Sequence, residues 1–311
     1  MKTKHYSILS FVLLIFFLKL FAPKFLFDLG VKHEKKGEGS NALFCYDIAN
    51  FIDWSNAKYR FQRGRMLMYG YYFAMLKENI SNYSYINYRY QQQKAKFDLI
   101  VETDLKKAIE LDPTHIDDFL ALGSYYKYKL EFNESYRLFD GAINIDKKNP
   151  IGYFGRGICA HGLKKYDDAL LDYNFIIKNI DLNSPLFVYN LNFYDKVKIW
   201  EVFVLRAKIY IETGKIDEAI ADLNQAINFE PKSEKLLFQR GKLKAKKGDF
   251  VDAIKDYDKI FELGLEFIDC YFARAEARNA IGDIKGANED IKNGKKIQED
   301  LYKGRAGSPI K

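Results

Sequence analysis

The stretch YIETGKIDEAIADLNQAINFEP, residues 210–231, places small residues at fixed intervals in a run that otherwise favours helix. Gly214 interrupts the run, Ala219 and Ala226 lie seven residues apart, and Pro231 closes it. A glycine just past a helix supplies the left-handed conformation that ends it, and a proline cannot continue a helix. The stretch therefore predicts the end of one helix, a tight turn and a complete second helix with a small-residue face.

The same pattern recurs every 34 residues. Adding 34 to Gly214 gives Gly248, and adding 34 again gives Gly282. Copies also lie upstream. The nearest of them is offset from the quoted copy by 50 residues rather than 34, because about 16 residues have been added at that junction. A sustained period of this length indicates an array in which each repeat is one helical hairpin.

The pattern resembles the tetratricopeptide repeat family, which has small residues at positions 8, 20 and 27 and a proline at position 32. The resemblance covers about residues 82–301 and implies an all-α, right-handed superhelical solenoid of helix pairs, A and B. Position 4 is never tryptophan here, and the terminal proline is kept only at Pro113 and Pro231.

The predicted organisation starts with a signal peptide or membrane anchor and ends with a flexible tail. Small residues at positions 8, 20 and 27 let the helices of each repeat approach closely. The register leaves open whether the helical region 37–81 is a further degenerate repeat. The predicted segments are the signal or anchor 1–36, the helical region 37–81, a degenerate repeat 82–115, repeats 116–149 and 150–181, an aromatic insertion 182–198, repeats 200–233, 234–267 and 268–301, and the tail 302–311.

Arginine at position 7 and aspartate at position 23 recur together, 16 residues apart. In repeat 116–149 both are replaced by leucine, Leu122 and Leu138. A row of arginines would suit an anionic ligand, but joint replacement by apolar residues favours a contact between helices A and B of each repeat. The predicted pairs are Arg156/Asp172, Arg206/Asp222, Arg240/Asp256 and Arg274/Asp290.

Composition and charge argue against several functional classes. The net charge is +7, but residues 1–36 hold seven lysines against two acidic residues, which leaves about +2 on the other 275 residues. No basic stripe for nucleic acid remains. The three cysteines and four histidines are scattered and predict no metal site, and the chain has no phosphate loop or nucleophile motif. We therefore expect a non-enzymatic protein without a cofactor.

The N-terminus has the form of an export signal, because a basic stretch precedes the apolar run ILSFVLLIFFL at residues 8–18. That run is too short to span a bilayer, and extending it to Phe27 encloses Lys19 and Lys24. The pattern favours an exported protein (periplasmic, secreted or membrane-anchored) over a cytoplasmic one. Whether the segment is removed or stays as an anchor is left open.

The resemblance implies that positions 2, 5, 9, 12 and 13 of each helix A line a concave groove for a protein or peptide partner. Aromatic residues alternate with lysines at these positions and would suit an extended peptide. No helix A carries the lysine and asparagine at positions 5 and 9 that the family uses to clamp terminal carboxylates, so that ligand class is disfavoured. The main candidate contacts are Lys127, Tyr128, Phe154, His161, Lys208, Phe238, Lys242, Lys246 and Phe272.

The insertion 182–198 is rich in aromatic and aliphatic residues, unlike an ordinary surface loop. Phe187, Tyr189, Phe193 and Tyr194 either pack onto the neighbouring repeats or form an exposed association patch. Two functions therefore remain open. One is an exported or membrane-tethered interaction scaffold. The other is a structural subunit of an envelope or secretion assembly that self-associates through this insertion.

Overall fold

The computed structural model describes residues 22–78, 84–179, 198–264 and 268–306. Every regular element within those ranges is a helix. The chain divides into two compact units, Met1–Leu163 and Lys164–Lys311, so the predicted repeat 150–181 is shared between them.

In unit 1, helix α3 packs against α4, and α5 packs against α6. These are antiparallel hairpins of the predicted kind. The helices of unit 1 are α1 at residues 22–35, α2 at Gly39–Ile52, α3 at Ala57–Glu78, α4 at Ser84–Leu111, α5 at Ile116–Tyr128, α6 at Phe132–Ile145 and α7 at Pro150–Gly162.

Among the described residues of unit 2, three hairpins follow helix α8. They pair α9 with α10, α11 with α12, and α13 with α14. The last helix runs past residue 302, where the tail was expected to begin, because no proline or glycine interrupts residues 295–303. The helices of unit 2 are α8 at Tyr166–Asn179, α9 at Ile199–Glu212, α10 at Ile216–Phe229, α11 at Glu234–Lys247, α12 at Phe250–Glu262, α13 at Ile268–Ala280 and α14 at Ile284–Ala306.

In the hairpins whose turns the structure describes, the turn contains one left-handed residue, as predicted for the three glycines. Gly214, Gly248 and Gly282 have φ angles of 77°, 95° and 84°. The equivalent residues of the two preceding repeats, Leu130 and Lys164, have φ angles of 61° and 59° although they are not glycine. The repeat therefore imposes this backbone conformation even where the side chain disfavours it.

Small residues allow the close helix approach that the period predicted. Ala219 and Ala226 on α10 are fully buried. A side chain added to Gly241 on α11 would lie 2.5 Å from the Cε1 atom of Tyr257 on α12, which no real contact tolerates. The aromatic ring of helix B thus fills the space left by the missing side chain of helix A.

Three of the predicted arginine–aspartate pairs form hydrogen-bonded forks in unit 2. Arg206 donates from Nε and Nη2 to the two carboxylate oxygens of Asp222, at 2.8 and 2.5 Å. Arg156 and Asp172 lie in different units, and that pair stays a prediction. The other forks, with N···O distances of 2.5–3.0 Å, join Arg240 to Asp256 and Arg274 to Asp290.

Each arginine of this row (Arg206, Arg240 and Arg274, the arginine row) also reaches the preceding helix B. The remaining Nη1 atom donates to a side-chain oxygen at 2.5–2.8 Å. The acceptor always occupies position 25 of the preceding repeat. These acceptors are Asn174, Asn224 and Asp258, and Arg156 contacts Asp140 in the same way within unit 1.

Repeat 116–149, in which leucines replace both the arginine and the aspartate, also lacks the contact to position 25 of the preceding helix B. Leu122 is buried on α5, and Leu138 on α6 is partly buried. The residue at position 25 of the preceding helix is Lys106, which bonds Glu102 at 2.6 Å. Arginine, aspartate and position-25 acceptor are therefore present or absent as a set.

Helices α3 and α4 reproduce the fork at a longer sequence separation. Arg63 donates to both carboxylate oxygens of Asp104, at 2.5 and 2.6 Å, and Arg60 adds a bond of 3.2 Å. Gly64 lies against Asp104 and Leu105, as Gly241 lies against Tyr257. We therefore interpret α3 and α4 as helices A and B of one repeat, which begins before residue 82.

The three cysteines are buried and form no disulfide. Among the helices that the structure describes, none is long and apolar enough to cross a membrane. The apolar run at residues 8–18 and the insertion at 182–198 lie outside the described residues, apart from Lys198, which immediately precedes α9.

Candidate functional site

The A helices of unit 2 carry a line of partly exposed apolar side chains at position 5. These are Val204 on α9, Phe238 on α11 and Phe272 on α13. Their positions recur once per repeat, so consecutive hairpins each contribute one apolar contact. A row of this kind suits the alternate side chains of an extended peptide.

Lysines border this apolar line on the first two helices. Lys208 and Lys242 occupy position 9, and both are exposed. The ammonium of Lys242 lies 5.7 Å from the ring centroid of Phe238, so cation and aromatic ring form one surface. The lysine row, as we call it, consists of Lys208, Lys235, Lys242 and Lys246.

Nearby lysines contact carboxylates, which the lysines of the lysine row do not do within the described residues. Lys244 lies 2.9 Å from Asp256, and Lys247 lies 2.7 Å from Asp217. The hydrogen bond to Asp217 and its negative charge raise the pKa of Lys247. Within the described part of the chain, no carboxylate lies within 4 Å of an ammonium of the lysine row. These four ammonium groups are therefore available to an external anion.

The charge of this surface changes in the last repeat. Helix α13 places Asp269 and Glu276, both exposed, where α11 places Lys235 and Lys242. Only Phe272 continues the apolar line. The basic part of the surface is therefore confined to α9 and α11.

The predicted contacts in unit 1 occupy different environments. Phe154 is only 5% exposed and belongs to the core, so its ring is not part of an open surface. Tyr128 is exposed, whereas Lys127 and His161 are partly buried, and all three contact other groups. Unit 1 therefore offers no counterpart of the lysine row at these four positions. The patch residues Phe187, Tyr189, Phe193 and Tyr194 lie outside the described residues.

The arginine row does not contribute to ligand binding on this surface, because its guanidinium groups already donate hydrogen bonds to side chains of the protein. The aspartates of the three forks are at most 4% exposed. The position-25 acceptors were missed from the sequence. The signal was present, since asparagine or aspartate recurs there wherever the following repeat has the arginine.

Comparison with known proteins supports the helix-pair architecture. Residues 207–248 match the family model of the TPR repeat. Among curated proteins, none matches the chain.

Several solved structures share the fold. A tetratricopeptide repeat protein from Parabacteroides merdae is 16% identical, with a TM-score of 0.54, covering 88% of this chain and 93% of its own. YrrB, a TPR protein with an unusual peptide-binding site, is 16% identical with a TM-score of 0.51, covering 65% and 97%. MamA is 16% identical with a TM-score of 0.51, covering 63% and 97%. At these identities the likeness concerns the fold alone. The family match and the fold together confirm the resemblance predicted from the 34-residue period.

Proposed function

We propose that this chain, a tetratricopeptide repeat protein, is a non-enzymatic scaffold that binds a protein or peptide on the A helices of unit 2. The observation that carries the proposal is the apolar line at position 5 bordered by the lysine row, whose ammonium groups have no carboxylate partner among the described residues. The ligand class that fits is an extended segment with alternating apolar and acidic side chains.

Selection of peptides that bind the chain tests whether its ligand is acidic and apolar. A random dodecapeptide library is displayed on phage and selected on the 311-residue chain, and the selected peptides are measured by fluorescence anisotropy. We expect enrichment in aspartate, glutamate and apolar residues. Binding should weaken with rising salt, because exposed charge pairs are screened.

A pair of variants locates the binding surface. Lys242→Gln with Lys246→Gln should weaken binding about tenfold or more, since two charge contacts are lost. The matched control is Lys232→Gln with Lys255→Gln, which removes two exposed lysines outside the lysine row. Selected peptides that lack acidic residues, or equal loss in both double variants, would contradict the proposed surface.

We also propose that the segment 1–36 exports the body and attaches it to a membrane. Support comes from large exposed aromatic side chains in and just after this segment: Phe25 on α1, Phe44 and Phe51 on α2, and Trp54 after α2. Phe44 and Phe51 are seven residues apart and share one face of the helix. Exposed Phe and Trp side chains on one helix face are typical of helices that lie in the membrane interface with that face buried among the acyl chains.

Export is tested with reporter fusions, and attachment is tested by sedimentation with membranes. A reporter that is active only outside the cytoplasm, placed after Lys311, should be active, and replacing Leu13 and Leu14 by arginine should silence it. Phe44→Ser with Phe51→Ser should reduce the fraction of an uncleaved protein that sediments with membranes. A silent wild-type fusion beside an active cytoplasmic reporter would contradict export.

The alternative function is a structural subunit of an envelope or secretion assembly. The apolar composition of the insertion 182–198 favours it. Changing Phe187, Tyr189, Phe193 and Tyr194 to serine should then lower the oligomeric mass measured by light scattering without lowering the melting temperature. A large drop in melting temperature with unchanged association would instead assign the insertion to the core.

A further inference from the structure

Unit 1 contains a small cavity of about 230 Å³ between the first turns of α3 and the segment that leads from α4 into α5. Three carboxylates, those of Asp112, Asp117 and Asp118, line one side. Phe61 of α3 provides an apolar wall on the other side. The cavity therefore combines negative charge with a hydrophobic face.

Asp118 is the least exposed of these carboxylates, with 1% of its surface accessible. Its Oδ1 atom lies 2.6 Å from Nδ1 of His115. Its Oδ2 atom is buried, and no donor among the described residues reaches it. A buried carboxylate oxygen without a donor is costly, so the site lacks one hydrogen-bond donor or cation. Burial raises the pKa of Asp118 to about 6, although the contact with His115 acts in the opposite direction.

The other charged groups around the cavity do not supply that cation. The ammonium of Lys58 lies 4.7 Å from the ring centroid of Phe27 and is engaged there. His115 already contacts Asp118, and its Nε2 atom lies 4.0 Å from Asp117. Hydrogen bonds from Thr114 lower the pKa of Asp112, which keeps this carboxylate ionised at neutral pH. The cavity therefore carries an excess of negative charge.

The size and the donor set identify the ligand class. No group of three or more His, Cys, Asp or Glu side chains in the described part of the chain is arranged to hold a metal ion. Cavities for drug-sized ligands measure about 300–1,000 Å³, so this one suits a single side chain or a small amine. An alkyl stem would pack on Phe61 while its cationic head approaches Asp118.

We propose that this cavity binds an alkyl cation, an ammonium or guanidinium group at the end of an aliphatic chain. The site lies within unit 1 and is opposite in charge to the lysine row of unit 2. It does not depend on the peptide surface proposed above, and either site can fail in experiment without the other.

The test is calorimetric titration of the 311-residue chain at pH 7.5 and low salt with four probes. Two are blocked amino acids, N-acetyl-lysine methylamide and N-acetyl-arginine methylamide. The third is n-butylammonium, and the fourth is N-acetyl-norleucine methylamide, the neutral counterpart of the lysine probe. We expect saturable binding of the cationic probes, at least about tenfold tighter than that of the norleucine probe.

Variants then assign the binding to the cavity. Asp118→Asn keeps the shape and removes the charge, and should weaken cation binding about tenfold or more. Asp117→Asn is a second, more accessible variant in case the first alters folding. The matched control, Asp252→Asn on α12, removes an exposed carboxylate far along the chain and should leave the titration unchanged.

The outcomes separate the sources of the cation. Tighter binding of the blocked lysine or arginine than of n-butylammonium identifies a polypeptide side chain, and the reverse order identifies a free amine; both support the site. No saturable binding to the wild-type chain at millimolar probe would overturn the proposal, as would equal affinity for the norleucine probe. Unchanged binding in folded Asp118→Asn and Asp117→Asn would overturn it as well.

Discussion

Helices α9, α11 and α13 carry the arginine row, and α9 and α11 also carry the lysine row, yet the two rows have different surroundings. Each guanidinium of the arginine row bonds a buried aspartate of its own repeat and an oxygen of the preceding helix B. The lysine row is exposed and has no carboxylate partner within the described residues. Cations that recur with a partner at fixed spacing hold the hairpins together, and cations that recur without one remain available for binding.

The largest expected effect comes from removing one arginine of the arginine row. Arg206→Ala should destabilise unit 2 by about 3 kcal/mol, because it leaves the buried Asp222 without its cation. Urea unfolding measures the change. Arg240→Ala should cost less, since Lys244 still lies 2.9 Å from Asp256. Equal losses in the two variants would contradict the compensation by Lys244, and losses below about 0.5 kcal/mol would contradict the structural role of the arginines.

The second prediction concerns Asp118, a buried carboxylate whose Oδ1 atom contacts His115. Its pKa of about 6 in the folded protein lies above the ordinary value of 3.8. The folded state therefore holds this proton more tightly than the unfolded state does. The contribution to stability is present at low pH and is lost as pH rises from about 4 through 6.

The corresponding measurement compares wild type with Asp118→Asn by urea unfolding at several pH values. Relative to the variant, the wild type should lose on the order of 2 kcal/mol between pH 4 and pH 7. His115, Asp112, Asp117 and Lys58 face the same region and are present in both proteins, so the difference between the two profiles reports Asp118 together with its contact to His115. Parallel pH profiles would show that the burial of Asp118 has no energetic consequence.

The third prediction uses the leucine repeat as a template. Arg206→Leu combined with Asp222→Leu copies the pair Leu122 and Leu138 into unit 2. Replacing both charges by apolar groups avoids the orphaned carboxylate, so the double variant should lie within about 1 kcal/mol of wild type. The two single leucine variants serve as controls and should each be less stable than the double variant. If the double variant is as unstable as the less stable of the two single variants, the idea that two leucines can replace the arginine–aspartate pair is wrong.

Much of the fold could be predicted because it is periodic. The 34-residue period located the hairpins of unit 2, and the spacing of 16 between Arg206 and Asp222 predicted their contact. Arg63 and Asp104 form the same fork 41 residues apart, and a search for a fixed period misses this pair because α3 and α4 are longer than the helices of the regular repeats.

The candidate sites were predictable only where they follow the repeat. Lys242 and Phe238 were chosen as candidates because their positions recur, and both lie at the surface, whereas Phe154 occupies an equivalent position and is buried. The cavity beside Asp118 has no periodic signal at all. It depends on α3 and the start of α5, about fifty residues apart in sequence, being brought together by the first hairpin.

The most direct test of the different roles of the two rows compares one variant of the arginine row with one variant of the lysine row, purified and measured side by side. Arg240→Ala and the double variant Lys242→Gln with Lys246→Gln are measured both for melting temperature and for affinity to a selected acidic peptide. We predict that Arg240→Ala lowers the melting temperature and keeps the affinity of the folded protein, while the lysine variant keeps the melting temperature and loses affinity about tenfold. Lost affinity at unchanged stability in Arg240→Ala, or full affinity in the lysine variant, would contradict this prediction.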